Sequence, residues 1–297
     1  METKGILLAG GSGTRLGLLS QVINKQLLPV FDKPMIYYPL ATLMTAGIRD
    51  ICIVVNPSEE RVFQKVLGDG RQFGVNIQYA IQMKPEGLPQ AITICQEFIG
   101  NANICMVLGD NIFVGSGLGR NLRKITVKGA HVFLYHVESP QKYGNVQLGH
   151  DGDIVKVVEK PNEPFSNYAI PGLYFFDNSV IGRTSSLVKS KRGEFEIVDL
   201  INQYLSESKL DYTTLSRGTV WLDAGTPEDL FLASEYVRMI QSRQGFHIAC
   251  LEEIAIRNGW LTITDLRSMD IMKVKSGYSE YLQKLCDEGI QMEPNFK

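Results

Sequence analysis

Glycines and two cations follow the first apolar run of the chain. The run "ILLAG" leads into Gly10, Gly11 and Gly13, and Arg15 and Lys25 come soon after it. Such a loop offers backbone N–H groups with no side chains in the way, so it can wrap a phosphate or a nucleobase closely. The two cations lie where a polyanion would need them. A glycine-rich turn that only reverses the chain is the alternative interpretation.

Two familiar phosphate-binding motifs do not fit this loop. The dinucleotide fingerprint needs G-x-G-x-x-G, and Leu16 occupies the position of its last glycine. The acid that would bind the ribose is also missing, because Asp32 in "VFDKP" is not expected at a strand end. The P-loop needs four residues between its glycines and then Lys-Ser or Lys-Thr, which this chain lacks. A nicotinamide-dependent oxidoreductase is therefore disfavoured.

The composition is that of an ordinary globular protein. The 297 residues carry a formal net charge of -2, which gives no reason to expect nucleic acid or an anionic membrane as a partner. No apolar run approaches the roughly 18 residues of a membrane span, and no signal peptide is visible. The scattered cysteines indicate reduced core residues of a cytoplasmic protein. They are Cys52, Cys95, Cys105, Cys250 and Cys286.

The first half of the chain alternates strand and helix patterns. Apolar runs that predict strands are "KGILLAG", "DICIVVNP", "NIQYAIQ" and "NICMVLGD". Helical patterns between them are "PMIYYPLATLMTAGI", "EERVFQKVLGDG" and "LPQAITICQEFIG". Strands that alternate with helices favour an α/β sandwich with a mostly parallel sheet, and continuous Val/Ile/Leu runs fit strands covered on both faces.

The pattern changes after Asp110. "AHVFLYHVE" is a predicted strand, and "YGNVQLGHDGDIVKVVEKP" is a predicted hairpin with Asp151-Gly152 at its turn. "NYAIPGLYFFD" is a further strand in which Pro171 suggests an edge or a bulge. A long helix is expected from Pro227, with Thr226 as its N-cap and Gly245 as its end. From about Phe246 the chain indicates short helices docked on the main body.

The opening motifs resemble the sugar-1-phosphate nucleotidylyltransferases. "LLAGGSGTRL" followed by "NKQLLPVFDKPMIYYPL" carries the resemblance, and among these enzymes the chain looks like the glucose-1-phosphate thymidylyltransferases. The similarity continues through "LGDGRQFG", "VLGDNIF", "YGNVQL", "VEKP", "RGEFEIVDL", "WLDAGT" and "EEIAIR". It therefore covers nearly the whole chain, although G-G-x-G-T-R-L alone would identify only the wider superfamily.

The resemblance implies a Rossmann-like nucleotidyltransferase fold. Its mixed, mostly parallel central sheet is flanked by helices and followed by a small helical C-terminal extension. We expect an α/β domain over residues 1–245, with the nucleotide-binding part at about 1–112 and the sugar-phosphate-binding part at about 113–245. Residues 246–297 would form a helical tail that serves an interface or regulation.

The implied reaction is nucleotidyl transfer from dTTP to glucose 1-phosphate. A sugar phosphate oxygen attacks the α-phosphorus, pyrophosphate leaves, and the dTDP-glucose serves deoxysugar synthesis of the rhamnose type. Such chemistry needs in-line positioning and cations where negative charge develops. By resemblance the catalytic residues Arg15 and Lys25 hold the triphosphate. The other nucleotide-binding residues would be Gly10, Gly11, Gly13 and Thr14 in the loop, and Gln82 and Gly87 at the base.

Two carboxylates are the expected metal ligands. Asp110 follows the buried run "CMVLG", where α/β proteins place their chemistry, and Asp223 lies in "WLDAGT". Two carboxylates with phosphate oxygens and waters suit Mg²⁺ as the cofactor. A helix N-cap or a turn acid is the alternative for Asp110.

The sugar phosphate is expected over the second half of the chain. By family position Glu159 acts on the hexose hydroxyls and Lys160 on the phosphate. Neighbours on a strand point to opposite faces, so the backbone must bend there for both to reach one ligand. The remaining expected contacts are Asn111, Tyr143, Gly144 and Arg192.

The tail resembles the part of the family that forms homotetramers with a second nucleotide site. The candidates for this regulatory site are Arg217, Glu253, Ile254 and Arg257. A helix that only buries an interface is an equally good interpretation.

Three departures from the family pattern leave the sugar open. Gly17-Leu18 replace Tyr-Pro, Ile170-Pro171 replace Val-Thr, and Val198 replaces a threonine. The last two changes fall near the expected sugar pocket and remove hydroxyl groups. A deoxy-, amino- or acylamino-hexose 1-phosphate, or UTP in place of dTTP, is therefore an alternative. A non-catalytic sugar-nucleotide-binding regulatory protein is the alternative from another class.

Overall fold

A large mixed sheet forms the centre of the molecule. The structure is a computed structural model that describes residues 2–11 and 13–289. Its strands are β1 (Thr3–Leu8), β2 (Pro29–Val30), β3 (Lys33–Pro34), β4 (Asp50–Val55), β5 (Asn76–Ile81), β6 (Asn103–Leu108), β7 (Asn111–Val114), β8 (Ala130–His136), β9 (Gly144–Leu148), β10 (Ile154–Glu159), β11 (Tyr168–Ile170), β12 (Leu173–Phe176), β13 (Leu210–Thr214) and β14 (Val220–Asp223).

The sheet has a parallel N-terminal half and a largely antiparallel second half. Its order is β10-β9-β11-β8-β12-β6-β1-β4-β5, and β13 also pairs with β8. The neighbours β6, β1, β4 and β5 are parallel, whereas β12 runs antiparallel to both β6 and β8. The antiparallel pairs β14–β7 and β2–β3 form two small additional sheets. The predicted mixed sheet flanked by helices is confirmed.

Helices cover both faces of the parallel strands. They are α1 (Leu19–Val22), α2 (Tyr37–Thr45), α3 (Glu60–Leu67), α4 (Gln90–Ile94), α5 (Gln96–Ile99), α6 (Leu118–Arg123), α7 (Val180–Thr184), α8 (Ile197–Ser206), α9 (Pro227–Gln244), α10 (Leu251–Arg257), α11 (Ile263–Ser268) and α12 (Gly277–Glu288). Short 3₁₀ turns stand at Thr14–Leu16, Lys25–Leu27, Arg71–Phe73, Pro140–Lys142 and Asp270–Lys273.

Alternate residues of each parallel strand enter two different cores. Leu7 of β1 packs in the cluster that includes Leu40 of α2 and Phe63 of α3. The preceding residue, Ile6, packs in the cluster that includes Ile92 of α4. Because both faces of the strands are covered, the strands can be apolar at successive positions. The continuous apolar runs in the sequence follow from this arrangement.

Two elements predicted as continuous are divided in the structure. The helix expected over "LPQAITICQEFIG" is two short helices, α4 and α5, separated at Cys95. The strand expected over "NYAIPGLYFFD" is β11 and β12, with Pro171 and Gly172 between them. At this break the chain changes partners, from β8 and β9 to β6 and β8. Pro171 therefore marks a division between strands, and the predicted edge or bulge was wrong.

The long helix has the predicted ends. The Thr226 side chain accepts a hydrogen bond from the Asp229 N–H and caps α9, and Gly245 ends it with a φ of 75°. The tail helices α10, α11 and α12 surround a small core of Cys250, Leu266 and Leu282. Residues 290–297 of the predicted tail lie outside the described residues.

The cysteines are core residues, as the sequence predicts. All five cysteines are free and buried. No helix in the ranges 2–11 and 13–289 has the length and apolar character that a bilayer crossing needs.

The core between α3 and the sheet allows a stability test. Phe63 is 0% exposed, and its neighbour Val62 is 47% exposed on the same helix. Phe63→Ala should lower the free energy of unfolding by about 3–5 kcal/mol, because it leaves a cavity in a close-packed interior. The measurement is urea unfolding followed by circular dichroism. The matched control Val62→Ala should stay within about 0.5 kcal/mol of the wild type, and equal effects would contradict this account of the core.

Candidate active site

The glycine loop and Asp110 lie at the same edge of the sheet. Strands β1 and β6 are parallel neighbours, and Leu8 at the end of one is paired with Leu108 at the end of the other. The Gly109 N–H donates to the Leu8 carbonyl at 2.9 Å, and this bond joins the segments that leave the two strands. Residues that follow these strands therefore converge at the carboxyl edge, where open α/β sheets bind their ligands.

A capped turn holds Lys25 inside this edge. The Asn24 side-chain oxygen accepts from the Gln26 N–H at 2.8 Å and caps the 3₁₀ turn that carries Lys25. The Asn24 amide donates in turn to the Ala9 carbonyl at 3.3 Å and to the Glu59 carboxylate. Lys25 is 5% exposed, and its ammonium forms an ion pair with Asp110. The lysine predicted to contact the triphosphate is thus fixed beside the predicted metal ligand.

The second carboxylate, Asp223, is brought to the same edge by the pairing of two short strands. Strands β7 and β14 are antiparallel, with Asp223 opposite Asn111, the residue after Asp110. Burial and the negative charge of Asp110 raise the pKa of Asp223 to about 6. Burial also acts to raise the pKa of Asp110, but the charge and hydrogen bond of Lys25 outweigh it and hold that pKa below the ordinary range. The negative charge of Asp110 is thus balanced by the Lys25 ammonium, whereas the negative charge of Asp223 is balanced only in part.

Arg15 lies next to Asp223. A Cβ atom on Gly225 would stand 3.0 Å from Asp223 Oδ1 and 3.1 Å from both terminal nitrogens of Arg15, so these groups flank Gly225. The 3₁₀ turn that contains Thr14 and Arg15 starts after Gly13, whose φ is 61°. A Cβ on Gly13 would also meet Lys25 Cβ at 3.1 Å, so the loop needs glycine here for both conformation and space.

Of the two predicted base-binding residues, Gln82 lies against the glycine loop and Gly87 packs against a distant loop. Gln82 is buried, and a Cβ on Gly10 would stand 2.5 Å from its Oε1 atom. Gly87 has a φ of 113° and packs against the backbone of Phe195, whose carbonyl oxygen would lie 2.1 Å from a Cβ at this position. Glycine at position 87 is therefore required by the contact with Phe195, a role that the sequence did not reveal.

Three of the predicted sugar-phosphate residues, Lys160, Arg192 and Gly144, lie around Glu159. Lys160 has a φ of 43°, which is the predicted backbone bend, and its ammonium lies 3.2 Å from the Glu159 carboxylate. Arg192 lies 3.4 Å from the same carboxylate and 2.6 Å from that of Glu196. A Cβ on Gly144 would stand 3.7 Å from Glu159 Oε2, so Gly144 belongs to the same cluster.

Asn111 joins the two parts of the site. Its Nδ2 donates to Asp110 at 2.8 Å, and its Oδ1 accepts from the Gly172 N–H at 3.0 Å and from the Trp221 indole at 2.7 Å. The Trp221 ring lies 4.9 Å from the ring of Tyr143. The polar contacts of Asn111 therefore link Asp110, at the carboxyl end of β6, to the aromatic pair of Trp221 and Tyr143.

Gln26 was missed as a candidate. Its side chain is 4% exposed, and its Oε1 is buried with no hydrogen-bond partner among the described residues. A Cβ on Gly11 would stand 3.9 Å from Gln26 Nε2, so the amide lies beneath the loop. A buried unpaired carbonyl oxygen is costly unless a ligand or water satisfies it. The position next to Lys25 in "NKQ" was the signal that could have identified it.

The comparisons with known proteins agree with this geometry. Residues 4–239 match the family model described as nucleotidyl transferase. The chain belongs to the nucleotidyl transferase family. It is 49% identical to the glucose-1-phosphate thymidylyltransferase of Neisseria gonorrhoeae, over 95% of this chain and 99% of the relative. It is 50% identical to that of Mycolicibacterium smegmatis, over 96% and 99%.

Solved structures support the same family. A candidate glucose-1-phosphate thymidylyltransferase from Bacillus anthracis, solved with a sucrose, has a TM-score of 0.74 and 38% identity, over 80% of this chain and 95% of that one. A UDP-glucose pyrophosphorylase complexed with UDP-glucose has a TM-score of 0.70 at 24% identity, which shows the shared fold alone. The predicted fold and the resemblance to the thymidylyltransferases are thereby confirmed.

The donor set of this nucleotidyl transferase fits a hard divalent cation. Asp110 and Asp223 are oxygen ligands, and the raised pKa of Asp223 reflects negative charge that a cation would offset. Within the described ranges, no group of three or more His, Cys, Asp or Glu side chains could hold a metal. The protein would therefore supply two carboxylates and leave the other positions to phosphate oxygens and water.

Two of the predicted regulatory residues, Glu253 and Arg257, form an ion pair with each other. Arg257 lies 2.8 Å from the Glu253 carboxylate, which also accepts a hydrogen bond from Tyr281 at 2.6 Å. Ile254 packs against the core that contains α2, and Arg217 is exposed between β13 and β14. The contacts of Glu253 fasten α10 to α12.

A cavity of about 960 Å³ lies away from this site. It is bordered by the β2–β3 hairpin, α9 and the tail, with Lys33, Gln241, His247 and Tyr278 among its lining residues. Arg15, Lys25 and the two carboxylates are not among its lining residues. The cavity is not the candidate active site, despite its size. The cations and carboxylates that could bind a triphosphate and a metal lie at the carboxyl edge of the sheet.

The raised pKa of Asp223 gives a testable pH dependence. The folded state keeps the Asp223 proton up to about pH 6, whereas the unfolded chain loses it near the ordinary value of 3.8. Stability from this group is therefore present at low pH and is lost as the pH rises through that window. In metal-free buffer, Asp223→Asn should be more stable than the wild type by about 1–3 kcal/mol at pH 7.5, and the gain should shrink near pH 4.

Urea unfolding at both pH values measures this difference. The exposed acid Asp153 provides a matched control, and Asp153→Asn should show no such gain. An Asp223→Asn protein that is no more stable than the wild type at pH 7.5 would show that the carboxylate is not under-compensated.

Proposed function

We propose that this chain transfers a thymidylyl group from dTTP to glucose 1-phosphate and releases pyrophosphate. The observation that carries the proposal is the convergence of Arg15, Lys25, Asp110 and Asp223 at one edge of the sheet. The relatives that are about half identical over nearly the full chain are named for the same activity. A binding protein that had lost the chemistry would not need this set of charges.

In the proposed reaction an oxygen of the sugar phosphate forms a bond to the α-phosphorus. The bond from that phosphorus to the bridging oxygen breaks, and pyrophosphate leaves with the electron pair. Arg15 and Lys25 would bind the triphosphate and offset the charge that develops on its oxygens. Asp110 holds the Lys25 ammonium in place, so the cation needs little reorganisation when the substrate binds.

Asp110 and Asp223 are the proposed ligands of a divalent cation, for which we propose Mg²⁺. When bound, such an ion neutralises phosphate charge and orients the triphosphate. The glycine loop of Gly10, Gly11, Gly13 and Thr14 would lie along the nucleotide, with Gln82 and Gly87 at the base. These assignments rest on the closeness of Gln82 to Gly10 and of Arg15 to Asp223.

The sugar phosphate is proposed to bind at the cluster around Glu159. Glu159 would accept hydrogen bonds from hexose hydroxyls, and Lys160 and Arg192 would contact the phosphate. Asn111, Tyr143 and Gly144 would flank the ring. Val198 lies at this cluster, because a Cβ on Gly144 would stand 3.3 Å from its Cγ2 atom. The apolar Val198 supports a second candidate substrate, a hexose 1-phosphate with fewer hydroxyl groups.

We further propose a homo-oligomer, a tetramer by resemblance, in the cytoplasm. Phe231, Leu232 and Met239 expose at least half of their apolar side chains on α9, which supports a protein contact there. The free cysteines support a reducing compartment. The second nucleotide site at Arg217, Glu253, Ile254 and Arg257 stays a prediction.

The direct test is phosphate release in the presence of inorganic pyrophosphatase, Mg²⁺ and glucose 1-phosphate. We expect rapid turnover with dTTP and about fivefold lower kcat/KM with dUTP, because these two nucleotides differ by one methyl group. UTP, which also carries a 2′-hydroxyl group, is compared in the same assay. Lys25→Met should lower kcat by a hundredfold or more, about the loss seen when one stabilising donor is removed. Lys65→Met, at an exposed position on α3, is the matched control and should keep wild-type activity.

The outcomes separate the candidates. Turnover that appears only with another hexose 1-phosphate would replace glucose as the substrate. An active Lys25→Met enzyme would remove Lys25 from the chemistry. Absence of turnover with every sugar phosphate, despite nucleotide binding, would overturn the enzymatic proposal.

A further inference from the structure

Gln82 has a fixed neighbour that was not among the predicted site residues. Its Nε2 donates a hydrogen bond to Oε1 of Gln90 at 2.6 Å. Gln90 is the first residue of α4, directly after the loop that carries Gly87. One N–H of the Gln82 amide is therefore committed to the protein, and the orientation of this amide depends on the orientation of Gln90.

The orientation of the Gln90 amide is determined by two groups of Glu86. Its Oε1 accepts from the Glu86 backbone N–H at 3.0 Å, and its Nε2 donates to the Glu86 carboxylate at 3.0 Å. A backbone N–H can only donate and a carboxylate can only accept. Rotating the Gln90 amide by 180° would place its NH2 group against the Glu86 N–H and its oxygen against the Glu86 carboxylate. Donor would then face donor, and acceptor would face acceptor. The oxygen of Gln90 must therefore face Gln82.

Glu86 is held by the loop that precedes α8. Lys189 forms an ion pair with its carboxylate, and the Phe195 N–H donates to its backbone carbonyl at 2.7 Å. The relay thus runs from Lys189 through Glu86 and Gln90 to Gln82. Each member has a partner that defines its direction.

The relay decides which groups Gln82 presents to a base. With Nε2 bound to Gln90, the Oε1 atom is directed toward Gly10, and one N–H remains beside it. An acceptor next to a donor matches the N3–H and a carbonyl of thymine or uracil. Cytosine offers the reverse order, an N3 acceptor and an amino donor, which an unrestrained glutamine could satisfy by rotating its amide. Preventing that rotation gives discrimination, because a mismatched base leaves buried polar groups unpaired.

We propose that Gln90 is a positioning residue for base specificity, which locks the Gln82 amide in the orientation that accepts thymine and rejects cytosine. The inference rests on the proposed function, because it concerns the nucleotide that the same site uses. The proposed role of Gln90 affects which nucleotide is used, whereas the proposed roles of Lys25 and Arg15 affect the rate of the reaction.

The test compares kcat/KM for dTTP and dCTP, with glucose 1-phosphate as the acceptor. Gln90→Met keeps the length of the side chain but cannot orient Gln82. It should lower the ratio of dTTP to dCTP about tenfold, mainly through a higher KM for dTTP. The exposed Gln96 on α5 supplies the control, and Gln96→Met should keep the wild-type ratio. A merely structural role for Gln90 would lower both activities by the same factor and would overturn the proposal.

Two further variants keep the test decisive if Gln90→Met folds poorly. Lys189→Met, at a half-exposed position, releases Glu86 and should lower the same ratio to a smaller extent. Exchanging the pair, Glu86→Gln with Gln90→Glu, retains an acceptor facing Gln82 and should keep the discrimination. A wild-type ratio in Lys189→Met together with loss of discrimination in the exchanged pair would contradict the relay. A wild type that does not use dTTP would instead contradict the proposed function.

Discussion

The largely buried ion pair between Lys25 and Asp110 is the constraint on which the site depends. Removing both charges from water is costly, and the mutual attraction offsets that cost only if additional hydrogen bonds and geometry are favourable. Here Asn24 fixes the turn that carries the lysine, and Asn111 donates to the aspartate. The pair joins the chain segments that follow β1 and β6. A second acid, Asp223, is brought beside this pair, and Lys25 and Arg15 balance its charge only in part, which leaves a place where added positive charge is stabilising.

The two halves of the molecule meet directly at the proposed active site. Gly87, in the half that is proposed to bind the nucleotide, packs on the backbone of Phe195, and Glu86 pairs with Lys189 of the same loop. Arg192 and Glu196 of that loop belong to the proposed sugar-phosphate cluster. One loop therefore supports residues assigned to the base and residues assigned to the sugar phosphate.

The departures from the family pattern differ in their structural consequences. Pro171 is buried between β11 and β12, where the chain changes sheet partners, so its fixed φ suits a division between strands. Val198 is buried in the core and contacts the side of Gly144, next to Glu159. The valine therefore bears on the sugar pocket, whereas the position of the proline is explained by the sheet.

The sequence by itself determined the order of elements, the glycine loop, the ends of α9 and the residues that follow β1 and β6. These are local properties, since hydrophobic period, capping residues and glycine positions act over a few neighbours. Only the tertiary structure decided that Asp223 lies opposite Asn111, that Gly87 packs on Phe195 and that Gln90 orients Gln82. Each of these depends on strand register or on contact between distant loops, which no short pattern encodes. The division at Pro171 was likewise decided by a change of sheet partners, because the sequence shows the proline but not the strands on either side of it.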